Sequence, residues 1–174
     1  MVREWIPIST SPKGRLALAA VTAFGSRPFD EVTVGELAAA AKVTTGALYH
    51  HFGSKLGLYD FVRADVEQRL LDRMEGAIAA SARSERPAAV MAALLIGFDF
   101  AVREGFLRIL GDPPAGAEHD RLAELLTAST APASPVLGPV LTAAWRAALV
   151  AVAEGSDPEQ ARAALLVLEY RPSS

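Results

Sequence analysis

Between Thr33 and Lys55 the chain reads TVGELAAAAKVTTGALYHHFGSK, and its hydrogen-bonding side chains gather in the second half of that string. Thr45, Tyr49, His50 and Lys55 supply hydroxyls, an imidazole and an ammonium, and Gly46 leaves the backbone bare among them. These groups suit recognition rather than bond making. A tyrosine hydroxyl can donate to a phosphate, and a histidine can reach a phosphate or a base edge. Small residues at a helix start let the backbone approach DNA closely. Lys55 falls in the first turn of a helix, where the dipole and unpaired N–H groups also favour a phosphate. Material for catalysis is sparse. The chain has three histidines and no cysteine, so thiolate nucleophiles and thiolate metal sites are excluded. His50 and His51 are adjacent and cannot hold one metal as an i, i+4 pair would. The expectation is a non-enzyme with no cofactor and no metal, in which His51 packs near the end of its helix.

The elements that must position these residues are helices. No run of alternating β-branched residues occurs, and Gly and Pro fall mainly between helical stretches. After an arm over Met1–Thr10, Ser11 and Pro12 open a first helix that runs to about Phe24. Phe29 returns from the following turn to the core. Thr33-Val34-Gly35-Glu36 is a capping box that starts a second helix, to about Ala41. Lys42 and Val43 form the turn. Thr44 caps a third helix ending near Phe52. Leu37, Val43, Leu48 and Phe52 make the core of this unit, so the opposite face of the third helix is free. Gly53 stops that helix and Ser54 caps a fourth, to about Ala80. Pro87 opens a fifth that carries Met91, Leu94, Leu95, Phe98, Val102 and Phe106 on one face. A loop covers Gly111–Gly116. Further helices are expected over about Glu118–Ala128, Val136–Glu154 and Pro158–Tyr170.

Composition sets the bounds. A chain of 174 residues can build one sizeable core or two small ones. Its net charge of −3 argues at first against nucleic acid, but the charge is unevenly spread. Residues 1–55 carry six basic and four acidic side chains, a net +2, which leaves −5 for the rest. Met1–Thr10 has no apolar segment of the kind a signal peptide needs. The longest apolar run, Ala88–Phe98, falls short of the roughly 20 residues of a membrane span. A cytoplasmic protein without membrane association is expected.

The string from Leu16 to Leu58 resembles the DNA-binding domain of TetR-type transcriptional regulators. The matching residues are Ala20, Phe24, Phe29, Thr33-Val34, Leu37-Ala38, Ala41, Val43, Gly46, Leu48-Tyr49, His51-Phe52, Ser54-Lys55 and Leu58. Pro28, Lys42 and Leu56 depart from the pattern, which often has glycine at the first two and an acid at the third, so that Lys42 is expected to accept a positive φ and to add a charge within reach of a phosphate. The resemblance implies an all-α fold: a three-helix helix-turn-helix domain over residues 1–53 and a helical effector-binding and dimerisation domain over 54–174. It implies a homodimer that binds a palindromic double-stranded DNA operator, usually as a repressor, and is released by a small apolar or amphipathic effector. Base or groove contact would fall to Thr45, Gly46 and His50, and phosphate contact to Thr33, Thr44, Tyr49 and Lys55. The alternative is an interaction module whose helix-turn-helix no longer reads DNA.

In the C-terminal part, Met74, Met91, Phe98, Phe106 and Trp145 either line an effector cavity or fill a core. Asp99 either stands at the rim of that cavity or pairs with Arg103 at the surface. Leu137, Leu141, Ala144, Ala148 and Val152 form one stripe, and the segment containing Leu165 and Leu168 is apolar all round. Both suit a dimer interface in which two helices from each protomer form a four-helix bundle. Arg3, Trp5 and Ile6 are expected to lie on the domain surface or in a free arm, and His119 to be solvated.

Overall fold

The computed structural model describes residues 10–81, 85–113, 120–131 and 134–168. The expectations for Arg3, Trp5, Ile6 and His119, and for the chain beyond Leu168, lie outside those residues. The described chain is all-α. Its helices are α1 (Pro12–Ser26), α2 (Val34–Ala40), α3 (Thr45–Phe52), α4 (Lys55–Ala80), α5 (Arg86–Glu104), α6 (Leu107–Gly111), α7 (Arg121–Thr130), α8 (Leu137–Ala153) and α9 (Pro158–Leu166), with a 3-10 turn at Phe29–Glu31.

Local chemistry explains the helix starts. Ser11, Thr44, Ser54 and Asp120 each accept a backbone N–H from the third residue onward, at 3.0, 3.2, 2.9 and 3.2 Å. Thr33 and Glu36 form the complete capping box: Glu36 N–H donates to the Thr33 hydroxyl at 3.2 Å, and Thr33 N–H donates to the Glu36 carboxylate at 2.8 Å. Each such cap satisfies groups that a helix end otherwise leaves unpaired.

The helices of the N-terminal head close around Leu16, Ala20, Phe24, Leu37, Leu48 and Leu58, all essentially inaccessible. Phe29 reaches this core as expected, stacked on Phe24 and edge-on to Tyr59 at centroid distances of 5.7 and 5.2 Å. The core continues along α4 through Val62, Val66, Leu70 and Met74 into the body, where α5 and α8 pack against it. Gly25 marks a tight seam between head and body. A Cβ there would stand 2.1 Å from the carbonyl oxygen of Gly105, so main chain meets main chain.

Two boundaries differ from the sequence expectation: the last helix stops at Leu166 rather than near Tyr170, and the fifth ends early. The fifth helix does not run through Phe106. Gly105 turns left-handed at φ 74°, and Phe106 N–H reaches back to the Ala101 carbonyl at 2.8 Å. The chain then turns a corner into α6, which sets Phe106 apart from the stripe that begins at Met91.

Candidate nucleic-acid interface

The head presents α3 with one face buried and one open. Leu48 is fully buried, Val43 and Phe52 are half-buried, and Thr44, Thr45, Gly46, Tyr49 and His50 are exposed. These five residues therefore form one continuous surface at and beyond the helix start. Tyr49 is 53% exposed, and among the described residues its hydroxyl has no hydrogen-bond partner. Thr44 spends its oxygen on the N–H of Ala47, which leaves its own O–H to donate outward. A Cβ added at Gly46 would meet only the Thr44 hydroxyl, at 3.7 Å, so the fold does not require glycine there. A ligand that approaches the backbone would.

The other expected contacts are placed differently. Thr33 stands exposed at the start of α2, but its hydroxyl donates to the Glu36 carboxylate at 2.9 Å, so that proton is already used. Glu36 is held far below the usual carboxylate range, at about 2, first by the Thr33 N–H, then by the Thr33 hydroxyl and by Arg27. Its charge is partly covered by Arg27, 3.2 Å away. Lys55 points inward. Its ammonium donates to the carbonyls of Phe29 and Val32 at 2.9 and 3.0 Å and lies 4.0 Å over the Phe29 ring. It ties the start of α4 to the turn before α2 and keeps one N–H. His51 is half-buried, with its ring edge-on to His50 and Phe52.

The remaining cations of the head are mostly engaged as well. Lys13 sits 4.9 Å over the Phe61 ring. Arg15 donates to the carbonyls of Ala41 and Thr10. An open groove of about 640 Å³ runs between α1 and α2, floored by Leu18, Ala19 and Leu37, with Arg15, Arg27 and Lys42 along it.

In the body, Met74, Phe98 and Trp145 are fully buried around the middle of α5, and the Trp145 indole donates to the Leu94 carbonyl at 3.0 Å. This region is closely filled: a Cβ at Gly97 would stand 3.0 Å from Met74 Sδ. Met91 is half-buried, and Phe106 packs edge-on against Phe100 beyond the corner. Asp99 does not join them. It is exposed and pairs with Arg162 of α9 at 2.9 Å, while Arg103, its expected partner, pairs with Glu104.

The stripe expected at the dimer interface is corrected in part. Leu141 and Leu165 are each 2% exposed within the protomer and have no surface left for a partner. Leu137, Ala148, Val152 and Leu168 are half-buried against the same core, and Ala144 is half-buried. The other faces of these helices are also apolar: Val136, Val140, Ala143 and Ala147 on α8, and Leu166 and Val167 at the end of α9, are exposed. Among the described residues no group of His, Asp and Glu is placed to hold a metal ion, and no helix is long and apolar enough to cross a membrane.

A short α2, a tight turn and a capped α3 with an open outer face define a helix-turn-helix head on a helical body. Residues 17–61 match the model of the bacterial regulatory proteins of the tetR family. A tetR-family transcription regulator from Shewanella sp. PV-4 superposes over 92% of this chain and 96% of its own, with 20% identity and a TM-score of 0.66. A TetR-family transcriptional regulator from Pectobacterium atrosepticum covers 91% of this chain and 94% of its own, with 27% identity and a TM-score of 0.59. No curated protein sequence matches significantly. The chain thus carries the N-terminal domain of the TetR family and has the fold of a TetR-family transcription regulator.

Proposed function

We propose that the chain is a non-enzymatic, ligand-responsive transcriptional repressor of the cytoplasm, divided into a DNA-reading head (residues 1–53) and an effector-binding and dimerising body (residues 54–174). The observation that carries this reading is the uncovered face of α3, where Thr44, Thr45, Gly46, Tyr49 and His50 are exposed side by side. Thr45, Gly46 and His50 are assigned to the groove floor. Thr44 and Tyr49 are assigned to phosphates, with Thr33 joining them if its hydroxyl turns from Glu36. Lys55 adds its charge and its third N–H at the start of α4.

Two heads on one palindrome require a two-fold dimer. The exposed apolar faces of α8 and α9 support such a pairing, and Val140, 55% exposed, lies in the α8 face. The effector is proposed to enter the body among Met74, Met91, Phe98, Phe106 and Trp145. Their close packing means that a ligand must open space there.

The test is selection of bound duplexes from a random-sequence pool, with sedimentation of the free protein and of Val140→Glu. A two-fold symmetric consensus and a dimer that Val140→Glu splits into folded monomers are expected. Failure to select any duplex, with no binding at low salt, would favour the second reading, a head that no longer reads DNA. The internal engagement of Lys13, Arg15, Arg27 and Lys55 is the observation in its favour.

A further inference from the structure

The turn between α2 and α3 contains a residue that is strained, charged and free. Lys42 has φ 54°, the only positive φ among the described residues other than glycine. It closes α2 in a specific motif: Lys42 N–H donates to the Ala39 carbonyl and Val43 N–H to the Ala38 carbonyl, both at 3.0 Å. The chain builds this motif twice more. At the end of α5, Gly105 donates to Val102 and Phe106 to Ala101. After α8, Gly155 donates to Val152 and Ser156 to Ala151. In both repeats the left-handed residue is glycine, as the absence of a Cβ favours. Only the helix-turn-helix turn has lysine in that place.

Nothing among the described residues explains the choice. Lys42 is exposed, and among the described residues its ammonium has no carboxylate, carbonyl or ring partner, whereas Lys13, Arg15, Arg27 and Lys55 all have one. Among the described cations of the head it alone is uncommitted. Its position is two residues before Thr44, the residue that opens the exposed face of α3. A strained residue retained without internal benefit points to an external partner.

We infer that Lys42 is a phosphate-binding residue of the DNA interface, its ammonium neutralising the backbone beside the groove that α3 enters. The inference rests on the proposed DNA-reading role and adds to it the main mobile positive charge of a head whose other cations are tied down. One neutralised phosphate should account for about 0.9 of the slope of log affinity against log salt for each bound head.

The experiment compares wild type, Lys42→Gly, Lys42→Gln and Lys42→Arg on a labelled duplex selected by the wild-type protein, titrated across a salt series, with Tm measured for each. Lys42→Gly removes both charge and strain. It should lose about tenfold in affinity per head near 0.1 M salt, with the slope reduced by about 0.9, while Tm holds or rises by up to about 4 °C. Lys42→Gln should lose the same affinity without the gain in Tm, and Lys42→Arg should bind as wild type. Wild-type affinity and slope in Lys42→Gln overturn the inference, even if Lys42→Gly binds weakly, because that weakness would come from a loosened turn. If wild type itself binds no duplex, the proposed function fails and this inference fails with it. If wild type binds and the variants match it, only this inference fails.

Discussion

Arg146 of α8 grips Asp120 with both ends of its guanidinium, Nη1 to Oδ2 at 2.5 Å and Nη2 to Oδ1 at 3.0 Å. Asp120 is also the cap of α7, so one carboxylate starts a helix and fastens it to its neighbour. Burial acts to raise the Asp120 pKa, but hydrogen bonds from Arg146 and from the Ala123 and Leu122 N–H groups, with the Arg146 charge, hold it below the ordinary carboxylate value. The unfolded chain therefore binds this proton more readily than the folded one. The contribution is complete above the usual Asp pKa of about 4 and is lost as pH falls through the depressed folded value. Asp120→Ala leaves the largely buried Arg146 uncompensated and should cost about 3 kcal/mol in urea unfolding at pH 7. A cost within error would show that the pair adds nothing. Arg146→Met should flatten the acid limb of the stability profile.

Gly46 separates fold from function. Replacement by alanine meets no obstacle in the protein and improves helix propensity, so stability should rise by up to about 1 kcal/mol. Duplex affinity should nevertheless drop, because the added methyl stands where the backbone must approach DNA. A Gly46→Ala variant that binds as tightly as wild type would remove Gly46 from the interface. Tyr49→Phe is the companion change: with the ring more than half exposed, Tm should hold while affinity falls by roughly one hydrogen bond, or about 1 kcal/mol.

Lys55 should report on both quantities at once. Lys55→Met strips the donor from the Phe29 and Val32 carbonyls and loosens the joint between α4 and the turn before α2, at a cost of about 1–2 kcal/mol. Duplex affinity should weaken along with stability. Affinity lost without any change in Tm would mean that the inward contacts are not held in solution.

Asp65 of α4 contributes with the opposite sign. Burial raises its pKa to about 6, against the attraction of Arg69 and with help from the repulsion of Asp72. Arg69 Nε lies 3.2 Å from Oδ2, close enough for charge attraction, yet that oxygen has no aligned hydrogen bond. Here the folded chain holds the proton longer, so stability declines as pH rises from about 4 through 6. Asp65→Asn should flatten this decline and raise stability at pH 8 by about 1 kcal/mol, the full shift being discounted for solvent screening. No gain in a thermal melt at pH 8 would show that the carboxylate is adequately solvated.

How far the sequence could be read depended on the kind of signal. Caps are local chemistry, and Ser11, Thr33, Thr44 and Ser54 all start helices where their hydroxyls predict. The positive φ of Lys42 was legible only through the resemblance, whose pattern often has glycine at that place. The break at Gly105 was missed because the apolar period runs unbroken from Met91 to Phe106, and only the glycine marks the stop. The sidedness of α8 was illegible because alanine and valine occupy both faces. Which stripe turns inward is decided by bulk, with Leu141, Trp145 and Leu149 filling the core. The direction of Lys55 and the partner of Asp99 depended on residues 26 and 63 positions away, which periodicity does not report.

The contact of Gly25 with Gly105 has a mechanical consequence. Side chains between two helices act as a cushion, because rotamers change and absorb a shift. At this seam no side chain intervenes, so the corner between α5 and α6 bears on α1 as one rigid edge on another. A displacement of that corner either pushes the head or lifts clear of it, and little of the motion is lost in between. The seating of α1 on the body therefore includes one unyielding backbone contact beside the side-chain packing along α4.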